Sequence, residues 1–567
     1  MDAEEPLDVV IRGGQLVDGT GNPWIRADVG VRGSRVAAIG HLEEERARRV
    51  LDATGLVVAP GFVDIHSHSD LALLVDGRAM SKVLQGVTTE VVGNCGLSAA
   101  PLRGEAGGFV RDTARHLADH VPWGWRTVGE YLGVVEERGV AVNVATLVGH
   151  RTLRVGVMGY SARPSLPADW EEMGQLLAQG LEEGAWGFST GLAYAPGSYA
   201  SQEELVYLCQ VAARYRAFYS SHIRDEEAHV VEAIQEALEV SRLSGEPVEI
   251  SHHKGVGRHH RGRAEDTLQL IGEYRLRGRI EVSFDIYPYT AASTWLSSYL
   301  PTWALEGGIP ALLERLGREE YRARIREQMR RDLYEGNDPP QVWEEFMISR
   351  VHGEKPHPWE GKTLAEIAAA RGQDPYETVF DVLLEGRGLV SVIRFETTEG
   401  ELATLIRHPL SVIGSDGSAL ACEGPLAAGH PHPRNFGTFP RVLARYVREQ
   451  DVLTLEEAVR KMTSAPASRV GIRDRGLLLP GMAADVVVFD PLRIRDTATY
   501  RHPKRYPEGI AWVLVNGQVV VEDGHHTGAL PGRILRRASR RSGADRTFRE
   551  QGASRENRKS RCEGERR

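Results

Sequence analysis

Eight short apolar runs, most of them ending in a polar or metal-ligating side chain, constrain this chain more than any other feature. They are FVDIHSH, TTEVVGNCG, AVNVATLVGH, AWGFSTG, AFYSSHIR, PVEISHHK, IEVSFDIYPY and LSVIGSDG. Longer stretches of helical period lie between them, such as PADWEEMGQLLAQGLEEG and EAHVVEAIQEALEVSRLSG. Strand alternating with helix requires a parallel sheet with crossover helices. Eight such units predict an α/β fold of the TIM-like (β/α)8 barrel type. GLVSVIRFE (388–396) offers a ninth strand and leaves the count open.

The flanks read differently. DVVIRGGQLVDGTG, RADVGVRGSRVAAIG and RVLDATGLVVAPG are Val/Ile-rich runs broken by Gly and Asp turns, and the texture returns in GMAADVVVFD and IAWVLVNGQVVVEDG. The expected organisation is a composite β domain from 1–60 and 470–532 around a catalytic barrel over 61–469. The stretch from about 296 to 388 is too long for a simple loop and carries its own helical patterns, so it reads as a lid-like insertion over one barrel face. From 533 to 567 there are 13 Lys and Arg against 5 Asp and Glu, which predicts a basic, disordered tail.

Composition excludes several classes. With 41% hydrophobic and 26% charged residues in 567, the chain is neither disordered, coiled-coil nor collagenous. No apolar run approaches the roughly 18 residues of a membrane span. The net charge of −9 becomes about −17 once the tail is set aside, so the body is no nucleic-acid binder on charge. The acidic start MDAEEPLDVV lacks a basic segment followed by an apolar one, and the four cysteines (Cys95, Cys209, Cys422, Cys562) form no CxxC pair. A cytoplasmic protein acting on a small molecule, with no nucleic-acid or membrane partner, is expected; the oligomeric state is not legible.

His66, His68, Cys95, His150, His222, His252 and Asp416 all follow apolar runs, so they belong to the C-terminal ends of barrel strands, where such folds place their chemistry. Side chains alternate along a strand, so His66 and His68 face one way. Each residue alone has an ordinary structural reading: a core histidine, an inert buried thiol, an Asp opening a Gly turn. Their joint placement on successive strand ends points to a metal site, and thiolate with imidazole favours zinc. His150 and His253 are not taken as ligands. Asp416 can accept a proton from a water at such a site and return it to a leaving group.

These features resemble the amidohydrolase superfamily, and more closely its D-aminoacylase (N-acyl-D-amino-acid deacylase) branch. The segments that carry the likeness are APGFVDIHSHSD, GVTTEVVGNCGLSAAP, LVGHRTLRVGVMG, GFSTGLAYAPGSYAS, SSHIRDE, ISHHK, DIYPYTAAST, GSDG and HPRNFGTFPR. Many superfamily members bridge two metals with a carboxylated lysine on the fourth strand; AWGFSTG has none, and Cys95 stands where this branch uses a cysteine. The resemblance implies that Cys95, His222 and His252 hold one tightly bound zinc, and that His66 and His68 form a second, weaker position. It makes Asp416 the general base and then acid. Lys254 and Arg434 would hold the substrate carboxylate, a pairing that charge-assisted hydrogen bonds favour, and Tyr194, Tyr287 and Ser293 would line the pocket. The implied reaction is hydrolysis of N-acyl-D-amino acids to a carboxylate and a free D-amino acid. Dipeptides, N-carbamoyl amino acids and cyclic amides are the alternative substrates. One departure is VIRFETTEG, Thr-rich where a Met-Ser-acid run is usual.

Overall fold

The computed structural model describes residues 6–42, 47–255, 263–278, 280–334, 340–352, 356–395 and 397–537. Its centre is a sheet of eight parallel strands: β1 (Phe62–Asp64), β2 (Val87–Val92), β3 (Asn143–Gly149), β4 (Gly187–Gly191), β5 (Phe218–His222), β6 (Val248–Ile250), β7 (Val282–Ile286) and β8 (Ser411–Ile413). Each pairs with its successor, from Phe62 opposite Val87 round to Ile286 opposite Ile413. The ring closes just beyond the ladders. Asp416 N–H donates to the His66 carbonyl at 2.8 Å, His68 N–H donates to that of Gly417 at 2.9 Å, and Ser67 bridges Gly417. The strands are short and buried on both faces, as parallel strands covered by helices must be.

Strands from both termini form the second layer. A seven-stranded sheet places Val57–Pro60 antiparallel to Val486–Phe489, joining the two ends of the chain. A four-stranded sheet of Leu7–Arg12, Asp28–Arg32, Arg35–Gly40 and Ala47–Asp52 packs on it through Val9, Ile11, Val29, Val58, Val486 and Leu514. This is the composite β-sandwich that the flanking runs imply, and it sits beside the barrel.

Val390–Phe395 is not a ninth barrel strand. It lies between Ala291–Trp295 and Phe346–Val351 in a separate antiparallel sheet. That sheet and the helices Gly308–Leu316, Leu364–Arg371 and Pro375–Glu385 bury their own core, including Leu312, Ile348, Phe380 and Val392. The inserted unit therefore takes in residues on both sides of 296–388. Its strand Ala291–Trp295 follows β7 directly and delivers Ser293 to the barrel mouth. The Thr-rich departure marks where the chain leaves this unit for the helix Glu399–Arg407.

At the other end of the barrel, residues 533–537 dock rather than trail. Val144 N–H donates to the Arg533 carbonyl, Leu535 N–H donates to that of Val144, and Arg536 pairs with Glu136. The rest of the basic segment lies outside the described residues.

Candidate metal centre

Cys95, His66, His222 and His252 converge at the C-terminal mouth of the barrel. Cys95 Sγ lies 3.2 Å from His66 Nε2 and 3.5 Å from His252 Nε2, and His252 Nε2 lies 2.8 Å from His222 Nδ1. Two overlapping groups share the thiol: Cys95 with His222 and His252, and Cys95 with His66, His68 and Asp416. Within each group all ligand atoms fall within 4.8 Å of one another. Zinc bonds of 2.0–2.3 Å in a tetrahedron separate ligands by roughly 3.3–3.8 Å, so little movement would seat an ion.

The surroundings fit a metal as well as the donors do. His66 Nδ1 donates to Asp285 Oδ2 at 3.0 Å, and His252 Nδ1 lies 3.0 Å from Glu226 Oε1. At His66 the carboxylate holds the Nδ1 proton and leaves Nε2 to face the metal position, as metal-ligating histidines require, whereas His252 Nδ1 also meets Lys254 Nζ at 3.2 Å. Burial alone would raise the Cys95 thiol, but the charge of His66 and hydrogen bonds from His222, His252 and His66 hold it well below its ordinary value. A buried thiolate among imidazoles is a soft, zinc-type donor set.

Local backbone explains the GNCG segment. Cys95 has φ 53°, between Gly93 at 83° and Gly96 at 71°. A Cβ on Gly93 would lie 2.4 Å from the Leu147 carbonyl oxygen, so only glycine lets β2 turn against β3 and aim the thiol inward. His252 (φ 34°) and Asp416 (φ 48°) also occupy the left-handed region, which non-glycine residues enter at a cost and which clusters at functional sites.

Asp416 sits where three groups meet. Its Oδ1 lies 3.0 Å from His68 Nε2 and 3.6 Å from His66 Nε2, and its Oδ2 lies 2.7 Å from Arg434 Nη1. Burial would raise its carboxyl, but the Arg434 guanidinium, with His252 and His68, holds it well below the usual carboxylate range. It is therefore ionised.

Both cations expected to meet a substrate carboxylate lie at the site, and both have protein partners. Lys254 Nζ is 2.8 Å from Glu226, and Arg434 adds a bond to the Ser293 carbonyl at 3.3 Å. Tyr287 lies under both: its ring centre is 4.8 Å from the Arg434 guanidinium and 5.5 Å from Lys254 Nζ. The Tyr194 ring rests 4.7 Å from that of His222, and its hydroxyl is 2.8 Å from Thr294 Oγ1. Tyr194 and Ser293 line a cleft of about 710 Å³ that opens above the donors. His150 and His253 face elsewhere, to Glu204 and Thr267 respectively.

Sequence reading missed several residues that the fold brings in. Asp285 and Glu226 orient two of the imidazoles; their only signals were an acid within an apolar strand and an acid four residues past His222. At the outer wall of the cleft, Arg350 makes no ion pair with a described residue, and burial lowers it to about 10. Beside it His352 packs 5.1 Å from Trp295 and 5.2 Å from His116, and burial lowers both histidines, His116 to about 3.

The comparisons with known proteins agree with this geometry. A model of the Amidohydrolase family matches residues 49–521. N-acyl-D-glutamate deacylase of Alcaligenes xylosoxydans xylosoxydans is 40% identical over 544 residues, 95% of this chain and 99% of the relative. D-aminoacylase of the same organism is 36% identical over 536 residues, 94% and 99% of the two chains. A solved structure of N-acyl-D-glutamate deacylase from Bordetella bronchiseptica, complexed with zinc and a phosphonate mimic of the tetrahedral intermediate, superimposes with a TM-score of 0.76 at 38% identity. It covers 94% of this chain and 100% of that one. The family model spans most of the chain and the relatives match it over 94–95% of its length, so the chain belongs to the amidohydrolase family.

Proposed function

We propose that this protein hydrolyses the amide bond of N-acyl-D-amino acids, releasing a carboxylate and a free D-amino acid, with zinc as its resident cofactor. The observation that carries the reading is the shared Cys95, which joins two donor groups within reach of an ionised Asp416. The preference for D substrates rests on the named activities of the relatives.

Cys95, His222 and His252 would hold the tighter zinc. His66 and His68, with Cys95 and Asp416, would form the weaker position. Bound there, zinc supplies a Lewis acid at which water ionises near neutral pH. Asp416 takes the proton of the attacking water and returns it to the leaving nitrogen, so the C–N bond breaks as the amine becomes neutral. Arg434 and Lys254, either side of the Tyr287 ring, receive the substrate α-carboxylate; Tyr194 and Ser293 border the acyl amide. Holding the carboxylate fixes the scissile bond against the base, which is where positioning lowers the barrel enzyme's barrier.

The outer wall favours an acidic side chain. Arg350 is a half-buried cation without an ion-pair partner among the described residues, on the same cleft as the metal donors. Ser293, whose carbonyl holds Arg434, and Trp295, which packs on His352, are two residues apart on one strand. A reducing compartment, the cytoplasm, fits a Cys95 that must stay a thiolate, and Cys209 and Cys422 are free as well. No helix among the described residues is long and apolar enough to cross a membrane. Neither a nucleic acid nor a membrane enters this reading.

The test is release of free amine from paired N-acetyl-D- and N-acetyl-L-amino acids (Glu, Leu, Met, Phe), with zinc-loaded protein and a Cys95→Ala control. Release from D substrates alone, strongest for Glu and lost in the control, is expected. No release from any of them, with zinc still bound, would sink the reading and direct the search to dipeptides, N-carbamoyl amino acids and cyclic amides.

A further inference from the structure

Beneath the metal donors lies a charge cluster that the mechanism above does not use. Lys82, on the short helix Met80–Val83, is fully buried, as are Asp64 and Glu90. Its ammonium lies 2.7 Å from Asp64 Oδ2 and 3.2 Å from Glu90 Oε1. It also donates to Ser415 Oγ at 2.8 Å and lies 3.3 Å from the Gly417 carbonyl and 3.4 Å from Ser67 Oγ. Two carboxylates, two hydroxyls and one backbone carbonyl around one point are the oxygen set that would suit a hard cation. Here a lysine side chain occupies it.

The position of these five oxygens is informative. Asp64 precedes His66 by two residues, and Ser67 lies between the two strand-end histidines. Ser415 and Gly417 flank Asp416. One ammonium therefore reaches both sides of the seam where β1 meets β8. That seam carries no regular ladder among the described residues, only the Ser67–Gly417 bridge and the two backbone hydrogen bonds beside it. Side chains complete it. Ser415 N–H donates to Asp64 Oδ1 at 2.8 Å, the Ser415 hydroxyl donates to Asp64 Oδ2, and Ser67 and Ser69 both donate to Glu90 Oε1 at 2.6 Å.

We propose that Lys82 is a positioning residue, a built-in cation that locks the His66–Ser67–His68 segment against Ser415–Asp416–Gly417. It touches neither substrate nor metal donor. Through Ser67 and Ser415 it sets the spacing between two histidines and the carboxylate that share one ion position, and that spacing is what the left-handed backbone at Asp416 would otherwise relax. The inference rests on reading those residues as metal donors and base.

Two variants test it. Lys82→Met alone strands two buried carboxylates and invites misfolding. The combined Lys82→Met, Asp64→Asn, Glu90→Gln variant instead removes all three charges and stays close in volume. Ser415→Ala cuts only the link to the residue before Asp416 and leaves the charges alone. Each is followed in two ways: cobalt titration without substrate, reading the d–d bands of the second equivalent, and kcat and KM with the best substrate. Loss of an outer partner of a metal site costs about 10–100-fold in affinity or activity. The expected result is a loss of that size in cobalt affinity or in kcat, with KM within about threefold and thermal unfolding still cooperative. A folded variant with a superimposable cobalt titration and unchanged kcat overturns the proposal; if the triple variant does not fold, Ser415→Ala decides by the same criteria. A wild-type protein inactive on every N-acyl-D-amino acid would refute the proposed function while leaving the cobalt titration to judge Lys82.

Discussion

Asp285→Asn isolates what the partner of a buried histidine does. Asp285 Oδ2 accepts from His66 Nδ1 at 3.0 Å, and Oδ1 accepts the backbone N–H of His252 at 3.0 Å. Both groups are buried, and His66 is completely so. An asparagine has one acceptor and one donor to offer in place of two acceptors. Its oxygen must stay on the His252 N–H, so its NH2 faces His66 Nδ1. That forces the His66 proton onto Nε2, the nitrogen that faces Cys95, and removes its lone pair from the metal position. The opposite flip keeps the tautomer but sets an NH2 against the His252 N–H. A metal on His66 Nε2 would push the proton back to Nδ1, where it faces the asparagine NH2, a buried donor without an acceptor, at about 1–3 kcal/mol. At 1.4 kcal/mol per decade this is about a five- to 150-fold loss of metal affinity at the His66 position. Competition against a chromogenic chelator measures it directly, with cooperative thermal unfolding as the check on folding. A variant that binds the ion within twofold of wild type would show that the tautomer of His66 is not what fits it to a metal.

Two further outcomes follow from the site and the charges. Asp416→Asn should keep the ion held by Cys95, His222 and His252 while kcat falls about 10²–10⁴-fold, the usual share of a general base; metal analysis beside steady-state kinetics checks it, and an active variant refutes the base. Glu246, buried just before β6 at the N-terminal end of the barrel, is raised to about 8 by burial, which nearby Arg537 and Arg469 only partly offset. The folded protein thus holds a proton that the unfolded chain releases above its ordinary pKa of about 4.3, so stability declines as pH rises from about 4.5 to 8, by up to about 5 kcal/mol. Glu246→Gln should flatten that decline, read as urea midpoints at pH 5 and 8.5; an unchanged difference between the two would exclude Glu246 as its source.

Much of this protein was legible in one dimension. Short apolar runs spaced by amphipathic helical stretches specify a parallel sheet, because only crossover helices can return the chain to the same end each time. The same logic puts residues that end such runs on one face, so His66, His68, Cys95, His222, His252 and Asp416 could be grouped before any distance was known. Positive φ at Cys95 was foreshadowed by the glycines either side of Asn94–Cys95. VSVIRF shows the limit: its periodicity is that of a strand, but periodicity does not name the neighbour, and here antiparallel partners from the insertion claim it.

What only the tertiary structure decided is who partners whom. Lys254 and Arg434 read as free cations awaiting a carboxylate; folded, they already face Glu226 and Asp416. Asp285 and Glu226 reach their imidazoles from 219 and 26 residues away in the chain. Lys82 lies on the four-residue helix Met80–Val83, and folding buries it among five oxygens from β1, β2 and the segments that follow β1 and β8. A sequence pattern reports which way a side chain points relative to its own strand or helix. The cost of burying a charge depends on what stands across the gap, and that is set when the barrel closes and β8 meets β1.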